Sequence, residues 1–214
     1  MIIRKQFRFE AAHIVRNCSS DRCKYSLHGH SFRCELLLTA DRLDRGQMVY
    51  DFGLLKKQVK CFLDGFDHAT LFWEKEDLAY AKAMKEHSKR WVQLPVSPTA
   101  EQLSRVIFVA AQALLDNTER ANDDDTARVH SVILHETETG SAQCFREDAY
   151  NAGMGEIDLA RIVFSAQVKA EWGDPKMWEK LLKGVRFPAQ APELQIPGEF
   201  PPKPAKPPAA RRRR

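Results

Sequence analysis

No apolar run in this chain approaches the roughly 20 residues that a membrane helix requires, and the opening Met-Ile-Ile-Arg-Lys-Gln-Phe lacks the apolar stretch of a secretory signal. There is no Cys-x-x-Cys pair, and the five cysteines (18, 23, 34, 61 and 144) are an odd number. That argues for free thiols and against a disulfide framework. The chain therefore reads as cytoplasmic, with no membrane partner. No internal repeat is present, which excludes solenoids and propellers. The folded body also lacks an excess of either charge. Residues 199–214 hold Lys203, Lys206 and Arg211 to Arg214 against Glu199, so the formal net charge of +4 resides in that tail and the rest sums to −1. A nucleic-acid role is not expected of the body, apart from a weak contact by the basic tail.

What is present is an ordinary globular composition, 43% hydrophobic and 29% charged over 214 residues, enough for one good core with an appendage. Residues 2–14 alternate as a strand, with Phe7, Phe9 and Ala11 on one parity and Arg4, Gln6, Arg8 and Glu10 on the other. His13 continues the apolar parity. A polar loop, 18–27, leads to a second strand over about 28–40, where Phe32, Cys34, Leu36 and Leu38 share a face that begins in His28 and His30. From Asp51 a helical pattern of Leu54, Leu55, Val59, Phe62 and Leu63 runs to Gly65 and delivers Asp67-His68 into a loop. Residues 74–90 have weak helical character and read as a solvated insertion. Thr99 with Gln102 fits a capping box opening a helix that buries Leu103, Ile107, Ala110, Ala111 and Leu114. Strands over about 128–136 and 142–146 follow, the first carrying Val132, Leu134 and Glu136 on one parity. The order is α+β, an antiparallel sheet covered on one face. Residues 149–188 read as a helical extension to a catalytic domain at 1–148. Residues 189–214 read as a proline-rich basic tail without fixed structure.

Three imidazoles, His13, His28 and His30, thus extend the core faces of two strands. Residues i and i+2 of a strand share a face. One Zn²⁺ would satisfy all three rings, and three protein nitrogens leave a fourth position open, the catalytic arrangement. A rival set, Cys18, Cys23, His28 and His30, would close a structural site and leave His13 without a role. The bland alternative is a hydrogen-bonded core histidine at each position. Beside a cation, Cys23 would favour its thiolate and become a nucleophile or base. A carboxylate at Glu136 suits two parallel N–H donors on a guanidine-like heterocycle edge.

Several stretches together resemble the 6-pyruvoyltetrahydropterin synthase / 6-carboxytetrahydropterin synthase family. They are Phe-Glu-Ala-Ala-His (9–13), Cys23-x4-His-Gly-His-Ser-Phe (to 32), Asp51-Phe52 with Leu55-Lys56, Phe66-Asp-His-x-x-Leu71, Pro98-Thr-x-Glu101 and His135-Glu-Thr137, in family order over about residues 1–140. The resemblance implies a tunnelling fold (T-fold), a four-stranded antiparallel sheet with two helices on one face, whose subunits assemble into homohexamers with active sites at their interfaces. It also implies Zn²⁺ held by His13, His28 and His30, and proton transfer by Cys23, Asp67 and His68, with Asp67 orienting His68. Glu136, assisted by Thr99, would anchor the pterin. The implied substrate is 7,8-dihydroneopterin triphosphate. The favoured product is 6-carboxy-5,6,7,8-tetrahydropterin, on the way to queuosine; a 6-pyruvoyl product is the alternative, as is a non-catalytic zinc-stabilised module. Four residues separate Cys23 from His28, where the carboxy branch usually has three and the pyruvoyl branch five.

Overall fold

The computed structural model describes residues 1–120 and 122–189. Its elements, in chain order, begin with β1 (Ile2–His13), α1 (Asp21–Tyr25), β2 (His28–Thr39), α2 (Phe52–Leu55), α3 (Gln58–Asp64) and β3 (Ala69–Trp73). Then come α4 (Leu78–His87), β4 (Trp91–Leu94), α5 (Ala100–Asp116), β5 (Arg128–His135), β6 (Ser141–Phe145) and α6 (Arg146–Ala149), and last β7 (Val163–Phe164), α7 (Ala166–Glu171) and α8 (Met177–Leu182).

The alternating stretches behave as their pattern dictates. β1 and β2 pair antiparallel along their whole length, from Ile2 opposite Thr39 to His13 opposite His28. Phe9 faces Phe32 across that ladder with ring centroids 5.1 Å apart. β5 joins the far side of β2, and β6 pairs with β5. These four strands are the expected antiparallel sheet.

The sheet does not stop there. It has seven strands in the order β6-β5-β2-β1-β3-β4-β7, and the β1–β3 and β3–β4 pairs are parallel. The four-stranded expectation is therefore extended by three short strands, β3 and β4 of five and four residues and β7 of two. Ala69–Phe72 of β3 is buried throughout, and a strand covered on both faces presents a continuous apolar run rather than a period of two. The insertion contains α4, capped by Asp77, which accepts from the Tyr80 amide at 2.9 Å. As a crossover between the parallel strands β3 and β4, α4 has no buried residue, in keeping with its charged, solvated sequence.

The helical pattern expected from Asp51 is interrupted. Asp51 does cap the first turn, accepting from the Gly53 amide at 2.6 Å. Lys57 leaves the helical region (φ −98°, ψ −110°), dividing the segment into α2 and α3. The apolar positions still reach the core: Leu55, Val59, Phe62 and Leu63 are buried. α5 starts where expected, with Thr99 Oγ1 accepting from the Gln102 amide at 3.2 Å. Leu103, Ile107, Ala110, Ala111 and Leu114 are all fully buried, and α5 packs on β5 and β6.

The segment after α6 joins the same core. β7 pairs with β4, and Phe164, Val168, Trp172, Met177, Trp178 and Leu181 belong to the hydrophobic cluster that contains Phe9 and Phe62. Trp178 stacks on Phe62 at 5.6 Å. α8 ends in a left-handed Gly184 (φ 67°). The amides of Gly184 and Val185 return to the Leu181 and Lys180 carbonyls, each at 2.9 Å, the double closure for which glycine is suited. Buried Arg105 of α5 anchors the start of this segment, donating to the carbonyls of Asp148, Ala149, Asn151, Met154 and Gly155. Among the described residues, no helix is long and apolar enough to cross a membrane. The proline-rich tail expected at 189–214 lies outside the described residues, Ala189 excepted.

Candidate metal centre and its surroundings

His13 and His28 face each other because the β1–β2 register makes them direct partners, while His30 stands opposite Ala11 on the same face. The three ligand nitrogens lie within 4.8 Å of one another. The ring centroids are 4.6 Å apart for His13–His28, 5.2 Å for His13–His30 and 5.1 Å for His28–His30.

Backbone carbonyls set the tautomers. Pro98 O lies 2.6 Å from His13 Nδ1, and Ser26 O lies 2.9 Å from His28 Nδ1. A carbonyl can only accept, so each Nδ1 carries the proton and each Nε2 presents a lone pair. This is the outer hydrogen bonding that orients histidine ligands. His13 is wholly buried, and its Nε2 has no hydrogen-bond partner. Burial lowers its pKa to about 4, with the Pro98 hydrogen bond opposing and the neighbouring His28 and His30 adding to the depression. The ring is therefore neutral near pH 7, as a metal ligand must be.

The buried lone pair does not face empty space. Glu136, the residue after β5, brings Oε1 to 3.5 Å from His13 Nε2 and 4.0 Å from His30 Nε2. Two acceptors in such opposition repel unless a cation or a proton lies between them. Three convergent imidazoles, one of them buried with a bare Nε2, form a donor set that suits Zn²⁺. The residues fit the ion.

The cysteines of the rival site do not converge: Cys18 and Cys23 fall outside the imidazole group. Cys23 lies on α1 with a partly exposed side chain, and its carbonyl accepts from the Val15 amide at 3.0 Å.

Asp67 and His68 sit at the turn into β3. Asp67 Oδ1 accepts from the Glu10 amide at 2.8 Å, and Oδ2 lies 3.0 Å from His68 Nδ1. The His68 amide in turn donates to Glu10 O at 2.6 Å. His68 has φ 53°, a left-handed backbone for a residue other than glycine, and its side chain is 73% exposed. Such strain is held only where the surroundings over-determine it, and it clusters at functional sites. His68 shares a cavity of about 360 Å³ with His30, lined also by Glu10, Ala12, Ser31 and Thr70.

Sequence reading missed two supports. Pro98 O fixes His13 across a separation of 85 residues; the Pro98-Thr99 stretch signals a helix start, but nothing in it points to a histidine. Arg90 grips the Asp67-His68 turn, donating from Nε to Asp67 O and from Nη2 to Asp64 O, both at 2.7 Å, and it pairs through Nη1 with Glu171 of α7. A lone arginine in a charged segment carries no signal of that role.

Comparison with known proteins bears on the family and the fold. The family model for 6-pyruvoyl tetrahydropterin synthase matches residues 2–147. The chain is 33% identical over 183 residues to a protein named 6-carboxy-5,6,7,8-tetrahydropterin synthase from Helicobacter pylori, covering 85% of this chain and 92% of that one. A protein of the same name from Aquifex aeolicus is 28% identical over 160 residues, covering 66% and 95%. Among solved structures, an uncharacterized protein from Wolinella succinogenes shares the fold with a TM-score of 0.50 at 21% identity, covering 69% of this chain and 98% of that one. With its T-fold sheet and helices, the chain belongs to the 6-pyruvoyl tetrahydropterin synthase family.

Proposed function

We propose that the chain is a Zn²⁺-dependent lyase that converts 7,8-dihydroneopterin triphosphate and water to 6-carboxy-5,6,7,8-tetrahydropterin, acetaldehyde and triphosphate, at the step that feeds queuosine and other 7-deazapurines. The observation that carries the reading is the buried, unpartnered Nε2 of His13 at the meeting point of three imidazoles. The relatives' names supply the choice of the carboxy product.

In this reading His13, His28 and His30 would hold the ion, the first two through the Nε2 atoms that their carbonyl-bonded Nδ1 groups leave free. Bound Zn²⁺ would supply Lewis acidity toward the hydroxyl oxygens of the substrate side chain. Cys23 Sγ takes the proton from the side-chain carbon. Asp67 holds the Nδ1 side of His68 at 3.0 Å, which leaves His68 Nε2 as the atom that exchanges protons with substrate. Glu136, assisted by Thr99, accepts the paired N–H groups of the pterin edge. Cys23 on α1 and the exposed His68 at the head of β3 stand on separate parts of one chain. The homohexamer with active sites at subunit interfaces that the family resemblance implies belongs to the same proposal.

Incubating the zinc-loaded protein with 7,8-dihydroneopterin triphosphate and weighing the product tests the reading directly. The mass of 6-carboxy-5,6,7,8-tetrahydropterin, with stoichiometric acetaldehyde, is expected. A 6-pyruvoyl product moves the chain to the other branch of the family, and no turnover by fully loaded protein refutes the lyase.

A further inference from the structure

The turn that carries Cys23 cannot hold itself in place. α1 has five residues, no buried side chain and no side-chain bond at its N-cap Ser20. A helix this short is unstable without tertiary support. With no core contact of its own, α1 takes its position from hydrogen bonds made by the chain just beyond β1. The Val15 amide donates to Cys23 O at 3.0 Å, and Arg16 Nη1 donates to Lys24 O at 2.9 Å. Two successive carbonyls, one of them that of Cys23, are pinned by two successive residues.

Arg16 is in turn held from the insertion. Its Nε donates to both oxygens of Glu76, at 3.0 and 3.1 Å. The Glu76 side chain is 4% exposed, and Oε1 also accepts from the Asp77 amide at 2.9 Å, at the entrance to α4. Tyr80 of α4 places its ring 5.3 Å from the guanidinium carbon. A carboxylate this buried would be costly without a cation. Arg16 is that cation, and its Nη1 reaches the thiol-bearing turn. The insertion thus opens with a charged clamp that reaches, through Arg16, the carbonyl next to Cys23.

We propose that Glu76, acting through Arg16, is a positioning residue for the Cys23 thiol. This deepens the lyase reading and rests on the base role given there to Cys23. A proton-transfer group must sit within about half an ångström of its working place, and a misplacement of about 1 Å costs on the order of a hundredfold in rate.

The test uses the full-length protein carrying Cys18→Ser and Cys61→Ser, so that Cys23 is the accessible thiol; Cys34 and Cys144 are buried. Glu76→Gln removes the charge at nearly constant shape. Arg16→Lys, the second variant should the first fold poorly, keeps the charge but cannot span Glu76 and Lys24 O together. Zinc content, kcat, KM and the rate of Cys23 alkylation by iodoacetamide are measured for each. The expected result is full zinc loading, KM within about twofold, kcat lower by roughly tenfold or more, and an alkylation rate shifted by at least about threefold. A merely structural role would lower melting temperature without splitting kcat from KM. Unchanged kcat or unchanged alkylation in both variants overturns the proposal, as does loss of zinc in step with activity. Should the parent protein fail to turn over the pterin triphosphate, the lyase reading falls while the alkylation rates still decide whether the clamp positions the thiol.

Discussion

Metal-free protein should lose stability in mild acid, and the loss should trace to His13. Burial holds this imidazole at a pKa of about 4, against an ordinary value of 6.5. Between those values the unfolded chain binds a proton at His13 that the folded chain refuses. Stability therefore rises with pH across this window: it is complete above about pH 6.5 and drains away as pH falls toward 4. At 1.36 kcal/mol per pKa unit the full loss is roughly 3 kcal/mol, a large part of a typical folding free energy of about 5–15 kcal/mol. Urea unfolding in excess chelator from pH 7 to 4.5 measures it. Carboxylates titrate over the same range, so the reference is His13→Leu, which keeps those groups and removes the imidazole. Wild type should lose about 2–3 kcal/mol more than the variant over that interval, whatever constant offset the substitution introduces. Parallel pH profiles, within about 1 kcal/mol of each other, would refute the claim that His13 is buried neutral with its Nε2 reserved for a cation.

Zinc titration with a competing dye should find one ion per chain, lost in His28→Ala but kept in Cys23→Ala, while turnover falls at least about a hundredfold in both; zinc lost from Cys23→Ala would return the cysteine to the ligand set. Trp178→Ala should cost about 3–5 kcal/mol in chemical denaturation, because Trp178 stacks on Phe62 in the common core. A cost below about 1 kcal/mol would show that α8 is only laid against the body. Arg105→Met should remove about 3 kcal/mol by stranding the five carbonyls between Asp148 and Gly155. Limited proteolysis should then cut first near residues 151–156, and an unchanged cleavage pattern would contradict the anchoring role.

Where local pattern and tertiary environment agree, the sequence was readable. β1 and β2 are buried on one face, so hydrophobicity alternates, and the alternation ran directly into His13, His28 and His30. α5 was readable because Thr99 caps it and its buried stripe recurs at helical spacing. Reading failed where burial erased the period. β3 is buried on both faces, and β7 has only two residues; neither leaves a local signature. The same limit hid the integration of residues 163–187. Their aromatic residues mark a helix stripe or a core equally well, and only packing against Phe62 and Phe66 tells which.

By itself the sequence determined that three imidazoles would continue the apolar faces of two strands, because side-chain direction on a strand follows from backbone geometry and needs no partner. That the imidazoles meet depended on the β1–β2 register, and their tautomers depended on Pro98 and Ser26 carbonyls. Glu136 reached them from β5, more than 100 residues along the chain from His30. Long-range hydrogen bonds and charge opposition have no sequence period. Tertiary structure alone decided that His13 would be buried with a bare Nε2 facing Glu136, and that an arginine just past β1 would join the Cys23 turn to a distant buried carboxylate.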